Sequence, residues 1–173
     1  MIDWHPWENA GLEGTIWTSP VGIMWITWRG RALVAGEFGT DVPQEVYGCR
    51  VKRASLPREI GRIYEAAFSG EAFILPVSAD RLTLLERTIL STATEIPFGT
   101  TASYGTVAHW AGFPGRARAA GRAMSRAPLV YVIPTHRVIR ADGTAAACQR
   151  DPVNDALRQY EHIHLGPARE VGR

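Results

Sequence analysis

The hydrophobic spacing of this chain changes period once, near residue 80, and that switch limits the folds open to it. Before it, Thr15–Thr18, Gly22–Trp28 and Arg31–Phe38 read as strands. Ile16, Val21, Ile23 and Trp25 approximate the two-residue period of a half-buried strand, and Ser19-Pro20 and Arg29-Gly30 punctuate the runs as turns. Pro57–Ser69 reads as a helix with Ile60, Ile63, Tyr64 and Ala67 on one face, and Ser69-Gly70-Glu71 leads into Phe73–Val77. After the switch the spacing is helical. Asp80 is the expected N-cap of a helix running to about Thr94, with Leu82, Leu85, Ile89 and Ala93 a turn apart. Pro97-Phe98-Gly99 ends it. Ser103 caps a short helix from Tyr104 to Ala111, Gly112-Phe113-Pro114-Gly115 turns, and Arg116–Ser125 forms a third helix. Two short helices across a Gly-containing turn have the form of a helix-turn-helix. The expected architecture is a two-domain α/β protein: residues 1–79 as a β-sheet with a flanking helix, and residues 80–173 as a helical DNA-binding domain.

A chain of 173 residues buries roughly 70% of its unfolded surface and needs no covalent staples. Its two cysteines, Cys49 and Cys148, stand outside any Cys-x-x-Cys pair. That excludes a disulfide framework and a thiolate zinc site and points to a reducing compartment. His5, His109, His162 and His164 lack metal-ligand spacing with cysteines or acids, so no metal and no cofactor is expected. Met1–Trp7 has neither a basic n-region nor an apolar h-region, and no apolar run is long enough to span a membrane. The expectation is a soluble, cytoplasmic monomer without a membrane partner.

The net charge of +2 hides an asymmetry. Residues 1–96 hold nine basic and twelve acidic side chains, whereas residues 97–150 hold seven arginines and a single acid, Asp142. Concentrated positive charge suggests a polyanion partner. The third helix sharpens this, because Arg116-Ala-Arg-Ala-Ala-Gly-Arg-Ala-Met-Ser-Arg alternates arginines with small residues where an amphipathic core helix would carry Leu or Ile. Ala117, Ala119, Ala120, Gly121 and Ala123 permit close approach to a phosphate-lined groove, or tight packing against another helix. Both readings stay open on the sequence.

From Leu84 to Ile163 the chain resembles the C-terminal domain of the O6-alkylguanine-DNA alkyltransferase family. The residues that carry the resemblance are Ile96-Pro97-Phe98-Gly99, Ser103-Tyr104-Gly105, Gly112-Phe113-Pro114, Ala117-Arg118-Ala119, Ala123-Met124 and, above all, Ile133-Pro134-Thr135-His136-Arg137-Val138-Ile139. Thr18-Ser19-Pro20-Val21-Gly22 resembles the N-terminal domain less specifically. The resemblance implies a ribonuclease H-like first domain and a winged-helix-like second one that enters the DNA minor groove. It also implies that an arginine finger replaces a flipped O6-alkylguanine, whose alkyl group moves irreversibly to a cysteine. Arg118 resembles the finger and Tyr104 the tyrosine that rotates the target phosphate. His136 resembles the histidine that deprotonates the cysteine through a water, and Glu161 the carboxylate that orients it. The implied DNA surface is Tyr104, Arg116, Ala117, Arg118, Ala119, Gly121 and Arg122. The implied lesion pocket is Tyr104, Met124, Pro134, Thr135, His136, Ala147 and Cys148.

Threonine stands at Thr135, where the family's motif has its acceptor cysteine. A free thiol ionises near pH 8.5; an aliphatic hydroxyl is many units less acidic, and threonine nucleophiles rely on a strong adjacent base such as an N-terminal amine. Three further departures accompany it: Ala127 replaces the hinge asparagine, Phe113 the turn asparagine, and Ala145–Arg150 a Gly- and Tyr-containing loop. With finger, tyrosine, histidine and glutamate kept but nucleophile, hinge and loop altered, the expected function is binding of O6-alkylguanine lesions in duplex DNA without turnover. Such binding resembles that of alkyltransferase-like proteins, which flag damage for nucleotide excision repair proteins. Two alternatives are an active alkyltransferase, through Cys148 or as an engineered Cys-to-Thr form, and a regulatory module that reads DNA sequence.

Overall fold

The computed structural model describes residues 1–6, 11–78, 81–145 and 151–163. It divides into two units, Met1–Arg81 with Pro128–Val132, and Leu82–Ala127 with Ile133–Arg173. In the first unit β1 (Ile2–His5), β2 (Leu12–Ser19), β3 (Gly22–Arg29), β4 (Ala32–Phe38), β5 (Glu45–Val46), β6 (Cys49–Arg53) and β7 (Leu75–Ser78) form one sheet. Its order is β1-β7-β4-β3-β2-β6-β5. β2, β3 and β4 make an antiparallel meander, while β7 runs parallel to both β1 and β4 and β6 runs parallel to β2. Burial alternates along β2, whereas β3 and β4 bury the continuous runs Ile26–Arg29 and Leu33–Gly36; Ile16 and Ile23, whose spacing suggested the half-buried strands, are exposed. The turn between β2 and β3 is closed by Ser19, whose hydroxyl donates to the Gly22 carbonyl at 2.7 Å and accepts the Val21 N–H at 3.2 Å.

Helix α1 (Arg58–Ser69) buries Ile60, Tyr64, Ala67 and Phe68. Trp17 of β2 meets it, with ring centroids 5.3 Å from Tyr64 and 5.7 Å from Phe68. Gly70 ends the helix at a left-handed φ of 76°, a conformation open to glycine at little cost. The distant segment Pro128–Val132 completes this unit. Gly36 of β4 donates its N–H to the Pro128 carbonyl and accepts the Val130 N–H, each at 2.9 Å. Tyr131 stacks on Phe68 with centroids 3.7 Å apart, and its hydroxyl donates to the Ala67 carbonyl at 3.2 Å.

The second unit holds α2 (Leu84–Ala93), β8 (Ala102–Ser103), α3 (Tyr104–Trp110), α4 (Ala117–Ser125), β9 (Val138–Ile139) and α5 (Asp151–Tyr160). Helix α2 starts later than the sequence suggested. Thr83, not Asp80, is its N-cap: the Thr83 hydroxyl accepts the Glu86 N–H while the Glu86 carboxylate accepts the Thr83 N–H, a reciprocal capping box. Thr-x-x-Glu was the stronger local signal, since it satisfies two orphan N–H groups and a lone aspartate one. The mixed α/β, two-domain architecture is the expected one. No described helix is long and apolar enough to cross a membrane.

Candidate nucleic-acid interface

Ser103 caps α3 by accepting the Thr106 N–H at 3.0 Å. The following turn holds Gly112 and Gly115 at φ values of 84° and 77°, which suit glycine and resist any branched residue. Helix α4 then presents two chemically different faces. Ala119, Ala120, Ala123 and Met124 are buried in the unit, so methyl-sized side chains let α4 lie close to its neighbours. Arg116, Arg118, Arg122 and Arg126 are exposed, with Ala117 and Gly121 half-buried. The tight-packing reading of the small residues holds for Ala119, Ala120 and Ala123. Ala119, expected on the DNA surface, is instead 6% exposed and belongs to the packing. Ala117 and Gly121 remain beside the arginines. Tyr104 supports this outer surface: a side-chain carbon on Gly121 would stand 4.0 Å from the Tyr104 ring. Arg126 is engaged elsewhere, at 3.0 Å from the Glu86 carboxylate.

The run from Ile133 to Arg137 is built from tight turns. Pro134 adopts φ −80° and ψ 64°, and the Thr135 N–H donates to the Ile133 carbonyl at 2.8 Å, which is an inverse γ-turn. A 3-10 turn, Thr135–Arg137, follows, and then β9 pairs in parallel with β8, setting Ile139 opposite Ser103, the residue before Tyr104. Thr135, His136 and Arg137 are all buried. The Thr135 hydroxyl makes no hydrogen bond among the described residues.

Glu161 is the hub. His136 Nε2 lies 2.8 Å from Glu161 Oε1. Arg137 grips both carboxylate oxygens, Nη2 donating to Oε1 at 2.8 Å and Nε to Oε2 at 2.9 Å. The Gly99 N–H adds a fourth bond at 3.0 Å. Burial alone would favour the neutral acid, but the hydrogen bonds from His136 and Arg137, with the Arg137 charge, outweigh it and hold the Glu161 carboxyl at about 2. Burial pushes His136 below its ordinary value; Glu161 opposes this, and the charges of Arg137 and Arg158 reinforce it. A neutral imidazole bonded through Nε2–H to a carboxylate leaves Nδ1 as its basic nitrogen. Arg137 also donates to the Ile96 carbonyl at 2.7 Å and lies over the Phe98 ring, tying the Pro97-Phe98-Gly99 turn to the cluster.

Glu161 is placed by the end of α5. The Ile163 N–H donates to the Arg158 carbonyl at 2.8 Å across His162, which sits at a left-handed φ of 55°. This closure stops the helix just where the carboxylate must turn inward.

His136 and Glu161 thus come together, with Thr135 buried at the residue before His136, and Tyr104 lies against α4. Met124 and Pro134 are buried, while Ala147 and Cys148 lie outside the described residues. Two residues gained no role from the sequence. Arg137 was legible, because an arginine inside an apolar run demands a buried partner. Arg158, 4% exposed and donating to the His136 carbonyl at 3.2 Å, was not; its spacing from Asp155 reads as an ordinary solvated pair.

Residues 85–162 match the family model described as the 6-O-methylguanine DNA methyltransferase DNA-binding domain. A methylated-DNA–protein-cysteine methyltransferase from Mycobacterium leprae is 40% identical over 128 residues, covering 72% of this chain and 76% of the relative. One from Methanosarcina acetivorans is 37% identical over 100 residues, covering 57% of this chain and 64% of the relative. The crystal structure of Mycobacterium tuberculosis OGT in complex with DNA superposes with a TM-score of 0.68 at 27% identity, over 87% of this chain and 93% of that one. With this sequence identity, this coverage and the shared two-domain fold, the chain belongs to the methylated-DNA–protein-cysteine methyltransferase family.

Proposed function

We propose that this protein binds O6-alkylguanine-type lesions in duplex DNA without accepting the alkyl group, and that the complex marks the lesion for nucleotide excision repair. The observation that carries this reading is the pairing of a His136–Glu161 contact of 2.8 Å with a threonine at the preceding position. Alkyl transfer is an in-line displacement at carbon that needs a strong nucleophile. A histidine near neutrality can ionise a thiol. It cannot ionise an aliphatic alcohol to a useful extent, and burial makes His136 a weaker base still.

The exposed arginines of α4 support the binding half of the proposal, as does the DNA complex of the Mycobacterium tuberculosis relative. In this reading α3 and α4 act as a helix-turn-helix in the minor groove. Arg118 fills the gap left by the extruded nucleotide, Tyr104 turns its phosphate, and Arg116 and Arg122 hold the backbone. Extrusion costs a few kcal/mol, less for a damaged base, and the finger offsets part of it.

The test combines affinity with mass. An O6-methylguanine duplex should bind more tightly than its guanine counterpart, with a log–log salt slope of about −4 to −5 if four to six phosphates are neutralised. The intact protein should gain no methyl mass after long incubation with the lesion. Equal affinity for the two duplexes overturns the recognition half; a methyl adduct on any residue overturns the other.

A further inference from the structure

The Thr135 hydroxyl is a polar group that the site has left unused. Beside it the Thr135 N–H is committed to Ile133, His136 Nε2 to Glu161, and Arg137 to Glu161 and Ile96. Thr135 itself is only 8% exposed. Its hydroxyl nevertheless accepts and donates nothing among the described residues. A hydroxyl without a partner on a nearly buried side chain is available to a ligand.

The chemistry of the position says which part of the ligand it would meet. In an alkyl transfer the acceptor atom approaches the alkyl carbon, not the purine ring, so a group at residue 135 faces the O6 substituent. A hydrocarbon substituent seated there strips water from the hydroxyl and returns no hydrogen bond. A substituent with its own hydroxyl replaces the lost water. We propose that Thr135 makes this pocket select O6-alkyl groups that carry a hydrogen-bonding group over hydrocarbon groups of the same length. This inference rests on the lesion-binding reading above.

The experiment compares three duplexes of one sequence, holding guanine, O6-propylguanine or O6-(2-hydroxyethyl)guanine, by fluorescence anisotropy with the full chain. The two adducts differ only by a terminal methyl against a hydroxyl. The wild type should prefer the hydroxyethyl adduct by about 3- to 10-fold, the worth of one net hydrogen bond. Thr135→Ser should keep that preference, and Thr135→Val should lose or invert it. Val matches Thr in shape and removes a hydroxyl that bonds to nothing, so the fold should tolerate it; thermal unfolding checks this. If the valine variant fails to fold, the wild type and Thr135→Ser decide alone, since each must prefer the hydroxyethyl adduct. Equal binding of the two adducts by the wild type, or a preference that survives in a folded Thr135→Val, overturns the inference. Failure of both adducts to bind more tightly than guanine instead overturns the lesion-binding reading.

Discussion

The two units bury different chemistry. In the first, the largest sealed side chains include Trp28, Tyr64, Tyr131, Leu12 and Met24, and the buried polar groups among the described residues are few: Ser19, Thr27, whose hydroxyl bonds across to Ala35, and a single charged group, Arg29. In the second, Ile89, Leu90 and Ile96 share the interior with His136, Arg137, Arg158, Glu161 and Glu86. An apolar core gains from burial and asks only for shape. A charged core loses solvation on burial and recovers it only when every group keeps its partner. The His136–Arg137–Glu161 cluster sits in the second kind of interior, where loss of one member leaves another buried without its partner.

Removing the hub should show this most strongly. Glu161→Ala leaves Arg137 buried without its carboxylate, and a loss of about 3–5 kcal/mol is expected by denaturant unfolding. A loss below about 1 kcal/mol would break the contrast between the units. An apolar truncation in the first unit, Leu33→Ala, should cost a comparable amount, about 2–5 kcal/mol, so pH is what separates them. Both His136 and Glu161 have folded values below their ordinary ones, and for such groups the unfolded chain binds protons first as pH falls. The stability they contribute is complete above the ordinary histidine value of 6.5. It declines below that as the His136 share is lost, and declines again between 4.5 and about 2 as Glu161 is protonated. His136→Asn should erase the upper decline, whereas Leu33→Ala should lower the whole pH curve without reshaping it.

A smaller effect tests the surface of the second unit against its interior. Arg118→Ala should lose about 1–3 kcal/mol of affinity for lesion DNA, and Arg122→Ala should weaken lesion and plain duplex alike. Equal losses on both duplexes for Arg118→Ala would show that it is no finger. In the first unit the corresponding probe is Gly36, where an added side-chain carbon would stand 2.8 Å from the Tyr64 hydroxyl. Gly36→Ala should cost about 1–3 kcal/mol by overpacking. The Tyr64 hydroxyl has no hydrogen bond in this interior, so adding Tyr64→Phe should recover most of that loss; strict additivity in thermal unfolding would refute the contact. The smallest effect belongs to His162, held at a φ of 55°. His162→Gly should stabilise the protein by about 1 kcal/mol or slightly less and leave DNA affinity unchanged.

Much of the fold was legible because its signals are local. The β2–β3–β4 meander announced itself by β-branched and aromatic runs between turn residues, although Ile16 and Ile23 face solvent, and α1, α3 and α4 did so by spacing and by the Ser103 cap. The short strands β1, β5 and β6 did not, since two to five residues hold too few alternations to count. Their pairing depends on partners far along the chain, as when the Met1 amino group donates to the Phe73 carbonyl at 3.0 Å.

The sequence by itself determined the order of elements and the arginine-rich character of α4, because these are properties of residue type and near spacing. Only the tertiary structure decided which alanines of α4 face inward and that Pro128–Val132 belongs with the first unit. It alone showed that Arg137 and Arg158 frame His136. Each of those facts depends on which groups meet across long loops: Glu161 lies 24 residues from Arg137, and Tyr131 lies 64 residues from Ala67. No local pattern encodes such meetings, because they are set by the competition to bury apolar surface while leaving no buried charge alone.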